Sequence, residues 1–375
     1  MELDMNKAEA AIRGLVELAD IEINGSQPHD IQVNDTRFYQ KLLSGGALGL
    51  GETYMQGLWD CEALDVLIYR LLRADLEHAI SPLKLLWPVI WSKLVNMQSH
   101  NRAFRIGERH YDLGNDLYER MLDPRMTYTC GYWKDADNLS DAQEAKLDLV
   151  CRKVGLEPGM RVLDIGCGWG SFAGFAAERY GVKVVGVTVS REQIAYGQER
   201  YKDLDVDLRL QDYRDVNEHF DRIISIGMFE HVGPKNYRTY MKMVERCLED
   251  DGLFLLHTIG TNTRATDVDP WTNKYIFPGG VLPVPEQIDK AVSGVFIMED
   301  LHNMGTHYDP TLMAWMANID EHREQLDSLG YDDRFYRMWR YFLLSSAGSA
   351  RARRNQLWQI VYSKKGVEGG YTSIR

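Results

Sequence analysis

Two hydrophobic periodicities alternate along the chain from residue 161 onward. Short runs rich in β-branched residues are separated by segments whose apolar residues are spaced as on one face of a helix. The pattern predicts strands at 161–165, 182–189, 208–210, 221–226, 252–257, 295–300 and 357–364, and helices at 172–180, 191–201, 237–248, 286–290, 311–329 and 333–347. This succession is typical of a mainly parallel sheet covered by helices. We therefore predict an α/β fold built on a mainly parallel seven-stranded sheet.

The first 95 residues have a different pattern, which predicts a small and mainly helical N-terminal domain. Apolar residues at helical spacing predict helices at 8–20, 38–43 and 63–73, and a cluster of glycines at 45–51 predicts a loop. A polar stretch at 96–109 predicts a linker. The domains are then expected at 1–95 and 110–375, with the linker between them.

The end of the N-terminal region allows two interpretations. The apolar segment 83–95 is either a core helix or a helix that lies in a membrane interface with its tryptophans as anchors. The basic segment that follows, with Arg102, Arg105 and Arg109, is either a solvated linker or a contact for phospholipid head groups.

The net charge and the cysteine content restrict the classes of binding partner and the cellular location that are expected. The formal net charge of −12 argues against a general nucleic-acid binder, so no nucleic-acid partner is expected. The five cysteines form no CxxC pair and no zinc-like cluster, which predicts reduced thiols, a cytoplasmic location and no metal site. No apolar run approaches the roughly 18 residues that a membrane-spanning helix needs.

A glycine-rich turn follows the first predicted strand of the sheet. Gly166, Gly168 and Gly170 are spaced GxGxG, and a helical segment begins directly after them. Both dinucleotides and S-adenosylmethionine bind at such strand–helix turns. Asp164, at the end of the strand, would repel a pyrophosphate but can accept hydrogen bonds from a cationic amino acid moiety. The turn therefore favours S-adenosylmethionine.

Polar residues after the next two strands offer contacts for the nucleoside. Thr188 and Gln193 stand where a ribose binds in many such folds, although this chain lacks the acidic residue that is common there. Asp212 can bond an adenine amine, and Tyr213 can stack on the base.

Seven motifs make the chain resemble the cyclopropane fatty acid synthases, which are related to the mycolic acid cyclopropane synthases. The motifs are HYDLGNDLY at 110–118, MTYTCGYW at 126–133, LDIGCGWG at 163–170, SIGMFEHVG at 225–233, LLHTIG at 255–260, FPGG at 277–280 and YDPTLMAW at 308–315. The resemblance extends over nearly the whole chain, and the motifs together are far more specific than the glycine turn alone.

This resemblance implies a Rossmann-like class I S-adenosylmethionine-dependent methyltransferase fold. It also implies transfer of a methylene group from S-adenosylmethionine across a cis double bond of an unsaturated phospholipid acyl chain, with bicarbonate as the base. The enzyme is then expected to be a homodimer that contacts the inner membrane face peripherally. The basic clusters at 102–109 and at Arg351, Arg353 and Arg354 are candidates for docking the head group.

The resemblance assigns the bicarbonate site to Cys130, Glu230, His257 and Tyr308, with the main chain of Ile259. The chemistry fits these residue types, because an alkene that attacks a sulfonium methyl leaves a carbocation, and a base must then remove a proton before the ring closes. The resemblance also implies that S-adenosylmethionine contacts Tyr128, Thr129, Asp164, Gly166, Gly168, Gly170, Thr188, Gln193, Asp212 and Tyr213.

Each assigned residue also has an ordinary structural interpretation. His257 can be a core histidine, Glu230 a charge at a helix N-terminus and Tyr308 a loop cap. Cys130 can be a small buried apolar residue; a nucleophilic role is disfavoured, because nothing in its segment would ionise the thiol. Ser346 stands where relatives carry cysteine, and we interpret that position as structural.

Three other functions remain open at this stage. A methyltransferase of the same fold could leave a methyl branch on a lipid, or could act on an amine or hydroxyl of a small molecule. A non-catalytic lipid-binding protein could keep the fold only to sense S-adenosylmethionine. The combination of Cys130, Glu230, His257 and Tyr308 favours the cyclopropane synthase.

Overall fold

The computed structural model describes residues 5–74, 114–263 and 269–375. The apolar segment 83–95 and the basic segment with Arg102, Arg105 and Arg109 therefore lie outside the described residues. The helices are α1 Met5–Glu17, α2 Arg37–Met55, α3 Leu64–Arg73, α4 Asn115–Met121, α5 Leu139–Lys153, α6 Ser171–Tyr180, α7 Arg191–Arg200, α8 Tyr237–Cys247, α9 Pro270–Tyr275, α10 Pro285–Val292, α11 Tyr308–Glu321, α12 Arg323–Ser328 and α13 Asp333–Arg351. The strands are β1 Gln32–Val33, β2 Trp59–Asp60, β3 Arg161–Ile165, β4 Lys183–Thr188, β5 Val206–Leu210, β6 Phe220–Ile226, β7 Leu248–Gly260, β8 Ile297–Asn303 and β9 Gln356–Ser363.

The chain forms two compact units, each of which is discontinuous in sequence. The first comprises Met1–Val95, Thr266–Pro278 and Tyr308–Asn355, and the second comprises Asn96–Ala265, Gly279–His307 and Gln356–Arg375. Helices from the C-terminal third thus belong to the same unit as the N-terminal region. The contiguous division at 1–95, 96–109 and 110–375 stays a prediction, as does the lipid-docking role of its first part.

The second unit contains the seven-stranded sheet, in the order β5-β4-β3-β6-β7-β9-β8. Strands β3 to β7 pair in parallel, whereas β9 runs antiparallel to both β7 and β8. Alternate residues of β3 enter cores on both sheet faces, with Leu163 in one cluster and Val162 in the other. The predicted mainly parallel seven-stranded sheet is confirmed. Its topology places the carboxyl ends of β3, β4, β6 and β7 at one edge, where ligands bind in such sheets.

Some predicted element boundaries were wrong, and tertiary packing explains the largest difference. The glycines at 45–51 lie inside α2, which bends at Gly46. A Cβ at Gly51 would lie 2.4 Å from the ring of Trp271, so a glycine here allows the helix to pack against an indole. The predicted helix at 311–329 is divided into α11 and α12. Among the described helices, none has both the length and the apolarity to cross a membrane.

Helix α5 begins after Asn138, the N-cap, whose side chain accepts a hydrogen bond from the main-chain N–H of Asp141. Ser140 and Gln143 have the residue types and spacing of a capping box, but Ser140 lies inside the helix and does not cap it. Gln143 is fully buried, and its side chain donates to the main-chain carbonyl oxygens of Thr127 and Thr129.

Arg351 is held by two carboxylates within the first unit. Its guanidinium donates to both oxygens of Asp309 at 2.8 and 2.9 Å and lies 2.8 Å from Asp65, which is 8% exposed. The hydrogen bonds and charges of Asp309 and Asp65 raise the pKa of the Arg351 guanidinium above its ordinary, already high value. Arg351 therefore has structural partners, which weakens it as a candidate for head-group docking.

We expect Arg351→Met to lower the free energy of unfolding by about 1–3 kcal/mol, because it leaves the nearly buried Asp65 carboxylate without its cation. Thermal and urea denaturation would measure the loss. Arg353→Met is the control, because Arg353 is exposed, and it should change stability little. Equal stability of the two variants would contradict the structural role of Arg351.

Candidate active site

A cavity of about 520 Å³ opens at the carboxyl edge of the sheet within the second unit. It is lined by Met126, Tyr128 and Thr129, by α5, by the turn after β3, by Gln193 and by the end of β6. The predicted S-adenosylmethionine contacts that line it are Tyr128, Thr129, Asp164, Gly166, Gly168 and Gln193. The other predicted contacts, Gly170, Thr188, Asp212 and Tyr213, are not among the residues lining this cavity.

The glycine turn leaves bare main chain at the cavity wall. Gly166 has a φ of +82°, and a Cβ at this position would lie 2.6 Å from Cγ of Met228. Both the backbone conformation and the close approach of Met228 therefore require glycine. Helix α6 begins directly after the turn, at Ser171.

Asp164 is a buried carboxylate with unused hydrogen-bonding capacity. The side chain is 2% exposed, and its Oδ2 atom accepts no hydrogen bond from any described residue. Burial raises the pKa of Asp164 to about 7, and the ammonium of Lys146 partly opposes this rise. A buried acceptor without a donor is costly in a folded protein. The residue therefore fits a ligand that brings a cationic donor.

The remaining predicted cofactor contacts have partners of their own. Thr188 Oγ1 lies 3.3 Å from Oε1 of Gln193, which places the two predicted ribose ligands together. Asp212 forms an ion pair with Arg214 at 2.6 Å, and the ring of Tyr213 meets Tyr240 edge-on at 5.2 Å. The adenine-binding roles of Asp212 and Tyr213 stay predictions.

Glu230 lies in a 3₁₀ turn that follows β6. Its Oε1 atom accepts a hydrogen bond from the main-chain N–H of Ile259 at 2.5 Å, which joins two residues predicted for one site. Its Oε2 atom is buried and has no hydrogen-bond partner among the described residues. Burial raises the pKa of Glu230 to about 7, although main-chain hydrogen bonds work against the rise.

His257 lies on β7, two residues before Ile259, and is 1% exposed. Its Nδ1 atom is 3.2 Å from the amide nitrogen of Gln359 on β9, its direct partner in the strand pairing. When that amide donates, Nδ1 is the acceptor and Nε2 carries the proton. Nε2 is buried without a partner among the described residues. Burial, followed by the charge of Lys146, holds the pKa of His257 well below its usual value, so the imidazole is a neutral donor.

Cys130 and Tyr308, the other two side chains predicted for the bicarbonate site, belong to different units of the chain. Cys130 is fully buried, with Sγ 3.2 Å from the carbonyl oxygen of Gly131. Tyr308 begins α11 in the first unit, where its ring meets Trp315, and its share in the site stays a prediction. Ser346 lies half-buried in α13 of the same unit.

Contacts around Gly227 bring the predicted cofactor and base residues close to one another. The Gly227 N–H donates to the carbonyl oxygen of His257 at 2.9 Å. A Cβ at Gly227 would lie 2.8 Å from the methyl group of Thr129, so the two segments are in contact there. Thr129 lines the cavity, and Cys130 follows it in the chain.

Two polar residues of α5 that the sequence analysis missed hold the segment 127–129 in place. Gln143 donates to the carbonyl oxygens of Thr127 and Thr129, and Lys146 donates to the hydroxyl of Thr129 at 2.7 Å. Both side chains are fully buried. Their spacing of three residues puts them on one helix face, and that face also carries Ala142 and Leu139. No local sequence signal marks these two residues as buried, because lysine and glutamine are mostly exposed in proteins.

Comparisons with known proteins identify the family of the chain. A sequence model of the family "Mycolic acid cyclopropane synthetase" matches residues 98–360. A cyclopropane-fatty-acyl-phospholipid synthase of Escherichia coli (strain K12) is 53% identical over 362 residues, which are 96% of this chain and 94% of that relative. The structure of the cyclopropane synthase MmaA2 from Mycobacterium tuberculosis matches with a TM-score of 0.66 and 32% identity, over 72% of this chain and 100% of that one.

A second solved structure is that of the mycolic acid cyclopropane synthase CmaA1, complexed with SAH and CTAB. It matches with a TM-score of 0.65 and 33% identity, over 70% of this chain and 98% of that one. These likenesses, with the sheet order above, confirm the predicted Rossmann-like class I methyltransferase fold. The chain therefore belongs to the mycolic acid cyclopropane synthetase family, and its match to a cyclopropane-fatty-acyl-phospholipid synthase extends over nearly its whole length.

Proposed function

We propose that this protein transfers a methylene group from S-adenosylmethionine across the cis double bond of an unsaturated phospholipid acyl chain, which forms a cyclopropane ring. Family membership supports the reaction class. The observation that carries the proposal is the pair of buried, unpartnered atoms, Oε2 of Glu230 and Nε2 of His257, close to Gly227, which lines the cavity and bonds the main chain of His257. An acceptor and a donor so placed suit acid–base chemistry.

The cavity fits S-adenosylmethionine in its chemistry. When bound, this compound supplies an electrophilic methyl group on a sulfonium. We propose that Asp164 accepts hydrogen bonds from the ammonium of its amino acid moiety, and that Gly166 and Gly168 admit the ligand against the main chain. Tyr128 and Thr129 then form the wall that faces the base site, and Thr188 with Gln193 binds the ribose.

The residues around Ile259 fit a small hydrogen-bonded anion. Bicarbonate, when bound, supplies the base that accepts a proton from the methyl carbon. We propose that His257 Nε2–H donates to this anion and that Glu230 Oε2 accepts its O–H, so that both orphan atoms gain partners. Cys130 closes the pocket wall, and the family resemblance implies that the hydroxyl of Tyr308 is a further donor.

A phospholipid substrate requires that the enzyme reaches a membrane. An acyl chain in a bilayer requires access from a membrane surface, so we propose a cytoplasmic protein in peripheral contact with the inner membrane face. Homodimerisation would place two such surfaces together and increase avidity. Both are proposals that rest on the substrate class.

Product analysis tests the proposed reaction. The protein is incubated with S-adenosylmethionine, bicarbonate and vesicles of a monounsaturated phospholipid, and the fatty esters are separated by gas chromatography. We expect a cyclopropane ester whose yield falls when bicarbonate is removed. A methyl-branched ester would instead favour a methyltransferase of the same fold, and no lipid product would leave the lipid-binding interpretation.

A further inference from the structure

A fully buried lysine adjoins both halves of the proposed site. The side chain of Lys146 is completely shielded from solvent, and it lines the cavity together with Asp164 and Thr129. Its Nζ atom donates to Thr129 Oγ1 at 2.7 Å. Lysine is almost never fully buried unless a charge or an acceptor compensates for its desolvation.

The hydrogen bonding of Lys146 is incomplete within the described part of the chain. An ammonium has three N–H donors, and the hydroxyl of Thr129 uses one of them. The carboxylate of Asp164 acts on Lys146 only through its charge and keeps its own Oδ2 unpaired. Two donors thus remain for a ligand.

A series of contacts connects Lys146 with the residues that are proposed to bind bicarbonate. Its acceptor Thr129 precedes Cys130 and touches Gly227, which bonds the main chain of His257. The charge of Lys146 acts on both Cys130 and His257. The neutral imidazole of His257 supplies a donor but no positive charge, so the pocket as proposed lacks a cation for its anion. The charges of two buried lysines, Lys146 and Lys153, act on His257, and of these two Lys146 lines the cavity.

We propose that Lys146 is an anion-positioning residue, whose ammonium holds the anionic base in the pocket formed by Cys130, Glu230 and His257. This inference rests on the proposed function, because it assigns a charged partner to the same bicarbonate. An anion beside Lys146 would also offset the repulsion between its ammonium and the sulfonium of the methyl donor, since both cations occupy one desolvated region.

Calorimetric titration of sodium bicarbonate into the protein saturated with S-adenosylhomocysteine tests this role without turnover. We expect Lys146→Met to weaken bicarbonate binding about 10–100-fold, the usual value of a charge-assisted hydrogen bond. Sodium chloride at matched ionic strength controls for screening. Circular dichroism and the thermal midpoint establish that the variant is folded.

Lys153→Met is the matched control. Lys153 is also fully buried and ends the same helix, but its ammonium contacts His302 at 3.0 Å and does not line the cavity. The charge of Lys153 also acts on His257, but less than that of Lys146, so this variant should lose much less bicarbonate affinity than Lys146→Met. If Lys146→Met keeps the wild-type affinity, the proposed role of Lys146 is wrong. If the wild type binds no bicarbonate, both the proposal of bicarbonate as the base and the proposed role of Lys146 are wrong.

The pH dependence of bicarbonate binding gives a second measurement on the unmodified protein. Burial lowers the pKa of Lys146 to about 8, against the charges of Asp123, Cys130 and Asp164. The ammonium therefore loses its proton as the pH rises through this region. The other buried groups near the pocket, Glu230, Asp164 and Lys153, have pKa values of about 7 and titrate mainly below this range. Between pH 8 and 9, affinity should therefore fall more steeply in the wild type than in Lys146→Met. Parallel profiles would overturn the proposal.

Discussion

Replacing Glu230 with glutamine is expected to reduce cyclopropane formation by about 10²–10⁴-fold, the usual contribution of a positioned acid–base group. The amide can still accept the hydrogen bond from Ile259, so the local fold is kept. It cannot, however, present a carboxylate to a proton on the bound anion. Initial rates on phospholipid vesicles measure the loss, and calorimetry should give S-adenosylmethionine affinity within a few-fold of the wild type.

The same substitution is expected to stabilise the protein above neutral pH. A carboxyl whose pKa is raised from 4.5 to about 7 in the folded state costs stability as the pH rises through that range. The cost reaches about 3 kcal/mol at most, and Glu230→Gln removes it. The thermal midpoint of the variant should therefore exceed that of the wild type at pH 8, and the two should converge as the pH falls below about 4.5, the ordinary pKa of the carboxyl.

Glu249→Gln is the control for both measurements, because Glu249 is exposed on β7. It should alter neither turnover nor stability appreciably. A Glu230→Gln variant that loses activity and is also less stable at pH 8 would point to a structural role instead. Loss of S-adenosylmethionine affinity would mean that Glu230 serves the cofactor cavity.

Those parts of the fold and the site whose residues follow one another along the chain could be predicted from the sequence. The strand–turn–helix at 161–180 could be predicted because β-branched residues, glycines and helical periodicity follow one another locally. Asp164 could be recognised from its place at a strand end. Glu230 and Ile259 lie on separate segments, and the motifs alone linked them; their hydrogen bond arises because β6 and β7 are neighbours in a parallel sheet.

Contacts between distant segments could not be predicted in this way. Gln359 orients the imidazole of His257 across an antiparallel strand pair, and no local pattern records that pairing. Lys146 resembles a solvent-facing lysine until the segment 127–129 covers it. The glycines within α2 resemble a loop because the ring of Trp271, which requires a bare helix surface, is far away in sequence.

Replacing Asp164 with asparagine is expected to weaken binding of S-adenosylmethionine and S-adenosylhomocysteine by the same factor, about 10–100-fold. The two ligands share the amino acid moiety that Asp164 is proposed to bind, and they differ at sulfur. Titration calorimetry with each ligand measures the effect. Asp207→Asn, at an exposed position of β5, removes an equal formal charge and should leave both affinities unchanged.

The pH dependence of binding separates this role of Asp164 from simple charge balance. Burial raises the pKa of Asp164 to about 7, and only the ionised carboxylate accepts hydrogen bonds with both oxygens. Wild-type affinity should therefore rise between pH 5.5 and 7.5, below the range near 8 where an α-amino group loses its proton. The asparagine variant should show no such rise. If S-adenosylmethionine alone is weakened, Asp164 acts on the sulfonium; if neither ligand is weakened, the ammonium is bound elsewhere.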